Sequence, residues 1–211
     1  MNIVVITDDR LREELLAQQV STDAVIEYRK DIPASGDADC YMDLLFERSP
    51  ERLDQLVQLR PSLIIVNSVV DTLNTMPPGF IRINAWPTFL KRTIVEASCK
   101  EDEMRKKAEA IFSYFGKKTE WVAEVEGFIT ARVVSMIINE AYFALDEKIS
   151  TKEEIDTAMK LGTNYPYGPF EWCTRIGVKH VYELLEAVYE DTHDERYKIC
   201  SLLKKEYLKA T

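Results

Sequence analysis

Histidine is scarce in this sequence, with two residues in 211, and both, His180 and His193, stand near the C-terminal end. Any chemistry that needs an imidazole earlier in the chain therefore has none to use. The four cysteines, Cys40, Cys99, Cys173 and Cys200, lie far apart. That spacing excludes a recognisable zinc ligand set and points to reduced thiols in the cytoplasm. Glycine is low as well, at seven residues, and no Gly-x-Ser-x-Gly elbow or Walker loop is present. No stretch approaches the ~18–20 apolar residues that cross a bilayer. Met1-Asn-Ile-Val-Val-Ile reads as a first strand, because no basic flank leads into a long apolar run. Positive charge is in deficit too: 27 Lys and Arg against 36 Asp and Glu give a net charge of −9. That balance argues against nucleic acid or an anionic membrane as the main partner.

What is present is enough hydrophobic residue, 46%, to bury a real core. Asn2–Thr7 is a continuous β-branched run suited to a buried parallel strand. Asp8-Asp9-Arg10 then opens a helical pattern carrying Leu11, Leu15 and Leu16. Ala24–Tyr28 and Cys40–Phe46 read as further strands. Ser49-Pro50-Glu51-Arg52 is a good helix start, with serine as cap and proline at the first helical position. Leu63–Val66, Phe80–Ala85, Thr93–Ser98 and Trp121–Val125 are predicted strands, and Glu101–Phe115 an amphipathic helix. This alternation predicts a mostly parallel sheet covered by helices. After Gly127 only helical periodicity is found: Phe128–Glu147, Lys152–Leu161, Val178–Tyr189 and Tyr197–Lys209. The expected organisation is an α/β half over residues 1–126 and an all-helical half over 127–211.

The most informative stretch is Ile155–Trp172. A helical run is expected to end at Gly162, followed by a turn fixed by Pro166, Gly168 and Pro169, which together read as a helix-turn-helix corner. Its wording closely resembles the signature of the C-terminal domain of 3-hydroxyacyl-CoA dehydrogenases. Gly127-Phe-Ile-Thr-Ala-Arg132, Asn139-Glu-Ala141, Ile176-Gly177, Asp194-Glu-Arg-Tyr197 and Leu202-Leu-Lys204 follow that family in order. The α/β half is similar more loosely. Leu63–Ser68 is similar to a strand and turn before the family's substrate site, and Phe80–Pro87 through Glu96 to its His-Phe-Phe-Asn-Pro to Leu-Val-Glu segment. The interval from Thr7 to Cys40 is short, as if one strand-helix unit had been lost. The resemblance implies a reduced Rossmann-like sheet followed by a helical domain that makes a homodimer.

The resemblance also says which groups should do chemistry. A dinucleotide site would be Gly-x-Gly-x-x-Gly after the first strand, because glycine lets the pyrophosphate approach a helix N-terminus. Here Thr7-Asp8-Asp9-Arg10-Leu11-Arg12 stands instead. It has no glycine, and Asp8 or Asp9 reads as an ordinary helix cap, with Arg10 and Arg12 as the only compensation for their charge. The family's catalytic histidine falls on Asn84 when counted from Glu96, or on Ile83 when anchored on Pro87, and neither is a general base near neutral pH. The family's serine falls on Val69, with Ser68 adjacent, and its asparagine on Ala131. Glu96 alone survives, a carboxylate that orients an imidazole in the family. The vestigial site candidates are therefore Glu96, Asn84 and Ser68.

Other groups offer little. His193 reads as a surface residue and His180 as part of a helix's first turn. Lys100, Arg105, Lys106, Lys107, Lys117 and Lys118 give the middle of the chain a basic character that could meet a phosphate-bearing ligand such as coenzyme A. A solvated face is the commoner meaning of such a run. Tyr165, Tyr167, Phe170 and Trp172 read as core and subunit contact.

The leading expectation is a family member of acyl-CoA and fatty-acid metabolism without ordinary dehydrogenase activity, kept for acyl-CoA binding, regulation or assembly. It would hold no cofactor and no metal, NAD being implied by the resemblance only. Two alternatives stand beside it: an active 3-hydroxyacyl-CoA dehydrogenase or related acyl-CoA enzyme with a relocated site, and a purely structural dimerisation module.

Overall fold

The computed structural model describes residues 1–210. The chain divides into two compact units, the first ending at Phe128 and the second beginning at Ile129. The first unit runs β1 (Asn2–Ile6), α1 (Asp9–Leu15), β2 (Val25–Arg29), β3 (Cys40–Asp43), α2 (Pro50–Gln58), β4 (Leu63–Asn67), β5 (Phe80–Ile83), β6 (Ile94–Ser98), α3 (Asp102–Tyr114) and β7 (Lys118–Trp121). The seven strands form one sheet in the order β2-β1-β3-β4-β5-β6-β7. Every pairing is parallel except β5 with β6.

The apolar strand runs follow from burial on both faces. Ile3, Val5, Met42, Ile65, Ile81 and Val95 pack on one side with Leu11 and Leu15 of α1 and Ile111 and Phe112 of α3. Val4, Ile6, Tyr41, Ile64, Val66 and Phe80 pack on the other with Leu56 of α2 and Leu59. α2 starts as its sequence requires: Ser49 accepts from the Arg52 N–H at 3.1 Å, with Pro50 at the first helical position. In the standard dinucleotide-binding sheet a third strand lies outside the second. Here the chain passes from β2 to β3 through coil, and β2 is the edge.

Two strand boundaries differ from expectation. β3 stops at Asp43 rather than Phe46, because the Asp43 carboxylate accepts from Leu45 N at 3.1 Å and turns the chain. The last strand is Lys118–Trp121, not Trp121–Val125. Its residues alternate between half-buried and exposed, so this edge strand carries no apolar run.

The second unit is α4 (Thr130–Asp146), α5 (Lys152–Thr163), α6 (Pro169–Ile176), α7 (Val178–Thr192) and α8 (Ser201–Ala210), with a 3-10 turn at Glu195–Tyr197. No strand occurs in it among the described residues, and no described helix is long and apolar enough to cross a membrane. α5 does not end at Gly162. It continues to Thr163, and Asn164 takes the left-handed capping conformation at φ 56°. The segment after the turn is itself a helix, α6, with Gly168 as N-cap and Pro169 opening its first turn.

The signature stretch owes its form to one carboxylate. Asp156 on α5 is buried and accepts from the N–H groups of Phe170 and Glu171 at 2.8 and 3.1 Å. It thus satisfies donors that the start of α6 would leave open. Glu171 reaches back to Gly168 N at 3.1 Å and pairs with Lys160. A Cβ at Gly168 would stand 2.3–2.4 Å from Asp156 atoms, so only glycine admits the carboxylate. Asn139 plays a similar part on α4, donating to Lys198 O and accepting from Cys200 N, both at 2.9 Å.

Gly168→Ala and Asp156→Ala are each expected to lower unfolding free energy by about 1–3 kcal/mol, the first through overpacking and the second through uncapped buried donors. Urea denaturation of the two variants checks this. A loss below ~0.5 kcal/mol, the level of an ordinary surface change, in both would contradict the capping role.

Candidate active site

The carboxyl end of a parallel sheet, where the strand order switches direction, is where such folds bind ligands. Here the switch lies between β1 and β3. The β1–α1 turn puts its own anion at the helix start: Asp8 Oδ1 accepts from Leu11 N at 2.7 Å. Asp8, Asp9 and Arg10 are exposed, and α1 is seven residues long. The two arginines have other company. Arg10 Nε lies 3.8 Å from Glu14, and Arg12 sits 4.2 Å over the Tyr28 ring. A pyrophosphate needs free N–H groups and glycine at such a turn. These residues do not fit one.

Beside it, Asp43 at the end of β3 is fully buried and held by Arg52 through two bonds of 2.8 and 2.7 Å. Burial pushes this carboxyl up, against the pull of Arg52.

Asn84 and Glu96 stand opposite each other where β5 meets β6. Asn84 N donates to Glu96 O at 3.0 Å, and Asn84 Nδ2 donates to Glu96 Oε2 at 2.9 Å. Asn84 Oδ1 also receives Trp86 N at 3.4 Å. Both side chains are buried. Glu96 is thus inside the sheet and paired, not a solvated strand end. Ile83 lies in the hydrophobic core, and Asn84 is the residue bonded to Glu96. An amide here can donate to a carboxylate as an imidazole would, but it cannot accept a proton near neutral pH.

Ser68 does not join this pair. Its hydroxyl donates to Asp71 O at 2.8 Å, inside the turn after β4. That turn is gripped by Arg82 of β5, whose guanidinium has no exposed surface. Arg82 Nη1 donates to the carbonyls of Ser68, Val69 and Asp71 at 3.2, 3.4 and 3.1 Å. Its Nη2 donates to Val125 O, its Nε lies 2.9 Å from Glu124, and the group stacks 4.4 Å from the Phe128 ring. Burial pushes its pKa down, and Glu124 counteracts that first.

A second buried network holds the loop that follows Asn84. Thr88 has φ 84°, a strained value for a β-branched residue. Its N–H is held by both oxygens of the buried Glu14 at 2.9 and 2.8 Å. From the other side, Lys117 Nζ donates to the carbonyls of Leu90 and Arg92. Lys117 is buried, so it is not part of a solvated basic face. Burial brings its pKa down to about 8. Arg92 is likewise pushed down by burial and back up by the Glu96 carboxylate.

Arg82, Glu14 and Thr88 carry no motif in the sequence, and Lys117 stands out there only as a member of the basic run. One signal was available: a lone arginine within the apolar run Phe80-Ile-Arg-Ile must be paired when buried. The remaining candidates lie elsewhere. His193 is exposed and caps α7 at φ 52°, and His180 is exposed in the first turn of α7. Ala131 is buried within α4. No group of three metal-ligating side chains occurs among the described residues.

A groove of about 1190 Å³ opens at the amino ends of the strands, lined by Asp39, Leu63, Gly79, Met104, Lys106 and Lys107 among others. It lies at the opposite end of β5 from Asn84.

Residues 127–210 match the family description "3-hydroxyacyl-CoA dehydrogenase, C-terminal domain". The 3-hydroxyadipyl-CoA dehydrogenase of Escherichia coli (strain K12) is 40% identical over 116 residues, 55% of this chain and 24% of that protein. A probable 3-hydroxybutyryl-CoA dehydrogenase of Bacillus subtilis (strain 168) is 30% identical over 132 residues, 63% of this chain and 46% of that protein. The chain therefore spans less than half the length of either relative. The crystal structure of (S)-3-hydroxybutyryl-CoA dehydrogenase from Ralstonia eutropha superposes with a TM-score of 0.74 over 99% of this chain and 94% of that one. At 19% identity this likeness is one of fold.

Lys117 gives a pH prediction with a definite sign. The unfolded chain holds this proton up to the ordinary value of 10.5, the folded chain only up to about 8. Between these values the unfolded state binds more protons, so this group makes stability rise with pH. Subtracting the stability of Lys117→Met from that of the wild type across pH 7–11 should show this upward slope, beginning near 8. A flat difference would contradict the buried placement.

Proposed function

We propose that this chain, whose residues 127–210 match the 3-hydroxyacyl-CoA dehydrogenase C-terminal domain, is a member of that family serving acyl-CoA and fatty-acid metabolism without ordinary NAD-dependent dehydrogenase activity. The observation that carries the reading is the Asn84–Glu96 bond. The carboxylate that would orient a histidine is in place, and its partner is an amide. An oriented carboxylate does little for catalysis without the imidazole it serves. The β1–α1 turn supports the same conclusion, since Asp8 occupies the N–H a pyrophosphate would take. Two carboxylates in that turn would also repel the dianion, by ~4 kcal/mol for each pair of charges ~4 Å apart at an effective dielectric of ~20.

The retained role we propose is binding of acyl-CoA or CoA, in regulation or assembly, by a homodimer formed through the helical unit. Support for the dimer is the exposed apolar surface of that unit. Ile129 and Val133 stand one helical turn apart at the start of α4, 54% and 51% exposed, and Leu161 on α5 is 83% exposed. Such surface on a soluble unit marks association.

Incubation with acetoacetyl-CoA and NADH tests the loss of activity. The wild type is expected to show no turnover, and Asn84→His none either, because the turn at Asp8 is unchanged. In that variant the introduced imidazole should titrate above the ordinary histidine value of ~6.5 by NMR, because Glu96 stabilises its charged form. Turnover by the wild type at an enzymatic rate would overturn the proposal and favour a relocated site.

A further inference from the structure

The edge of the sheet at β2 is uncovered in two ways. Among the described residues β2 has a neighbour on one side only, β1. Val25 N donates to Met1 O and Arg29 O accepts from Thr7 N, so the odd-numbered residues of β2 turn their backbone groups toward β1. The alternation of a strand then aims the N–H and C=O groups of Ile26 and Tyr28 outward. Ile26 and Tyr28 side chains pack on the core that also holds α1 and α3. On the opposite face Val25 is 69% exposed, and Glu27 and Arg29 are exposed beside it. An open strand edge is a template for another strand, and proteins usually close it or blunt it with charge.

The charge here is self-complementary. We propose that the outer edge of β2 is a self-association surface, on which two copies pair their β2 strands antiparallel about a two-fold axis at Tyr28. In that register Tyr28 faces Tyr28 of the second copy, and Ile26 faces Lys30, all of them residues of outward backbone aim. Glu27 of each copy then faces Arg29 of the other. Sliding by one step of the ladder in either direction sets Glu27 against Glu27, or Arg29 against Arg29, so charge selects the first register. Opposite charges and aromatic pairs across antiparallel strands each stabilise, and like charges directly opposite destabilise. A two-fold pairing of the same patch also closes on itself and does not propagate. The inference is independent of any dimer made by the helical unit; such a dimer carries two β2 edges, so its mass then at least doubles.

Sedimentation velocity over a range of protein concentrations reads the mass, and hydrogen exchange reads the Ile26 and Tyr28 amides. In the wild type the mass should double, and the two amides should become protected, as concentration rises. Glu27→Arg and Arg29→Glu each leave the strand with one sign of charge, so each variant alone should stay at the lower mass. An equimolar mixture of the two should recover the doubled mass, although each variant still lacks its own Glu27–Arg29 ion pair. Ile26 and Tyr28 amides that exchange equally fast at all concentrations would overturn the proposal. So would a mixture that stays dissociated, or a single variant that doubles as the wild type does.

Discussion

A guanidinium with no exposed surface holds the carboxyl end of this sheet together. Arg82 gathers three carbonyls from the turn after β4, one from the segment after β7, and the Glu124 carboxylate. A buried charge is tolerated only when such partners are supplied together. Removing one partner of a buried pair costs about 3–5 kcal/mol, because the other charge is left without compensation. Arg82 thereby fixes the Ser68–Asp71 turn, and Asn84 stands two residues further along the chain, just past the end of β5.

The same end of the sheet is held elsewhere by charged side chains bonded to backbone. Glu14 restrains the strained Thr88, Lys117 holds the carbonyls of Leu90 and Arg92, and Asp8 caps α1. Each of these side chains is bonded to the protein's own backbone.

Much of this was legible in the sequence where the cause is local. Leu63-Ile-Ile-Val gave β4 because a strand buried on both faces reads as an unbroken apolar run. Ser49-Pro50 marked the start of α2 through a cap three residues away. The edge strand Lys118–Trp121 was misplaced because half its residues face solvent. The helix-turn-helix corner was legible from its glycines and prolines, but what holds the start of α6 is Asp156, which lies 14 and 15 residues before the N–H groups it accepts from. Arg82 and Glu124, Glu14 and Thr88, and Lys117 and Leu90 are pairs of this same distant kind. Sequence spacing carries no signature of them. Asn84 was reached only because the resemblance supplied Glu96 as an anchor; the two side chains are bonded to each other.

We propose that this fold has kept the family's framework and given up its dinucleotide chemistry. Titration of the protein with NADH, with CoA and with acetoacetyl-CoA, read as the shift in melting temperature, addresses it most directly, since a ligand of the native state alone raises that temperature. The account predicts a rise with the CoA compounds and none with NADH. A saturable rise with NADH would contradict it.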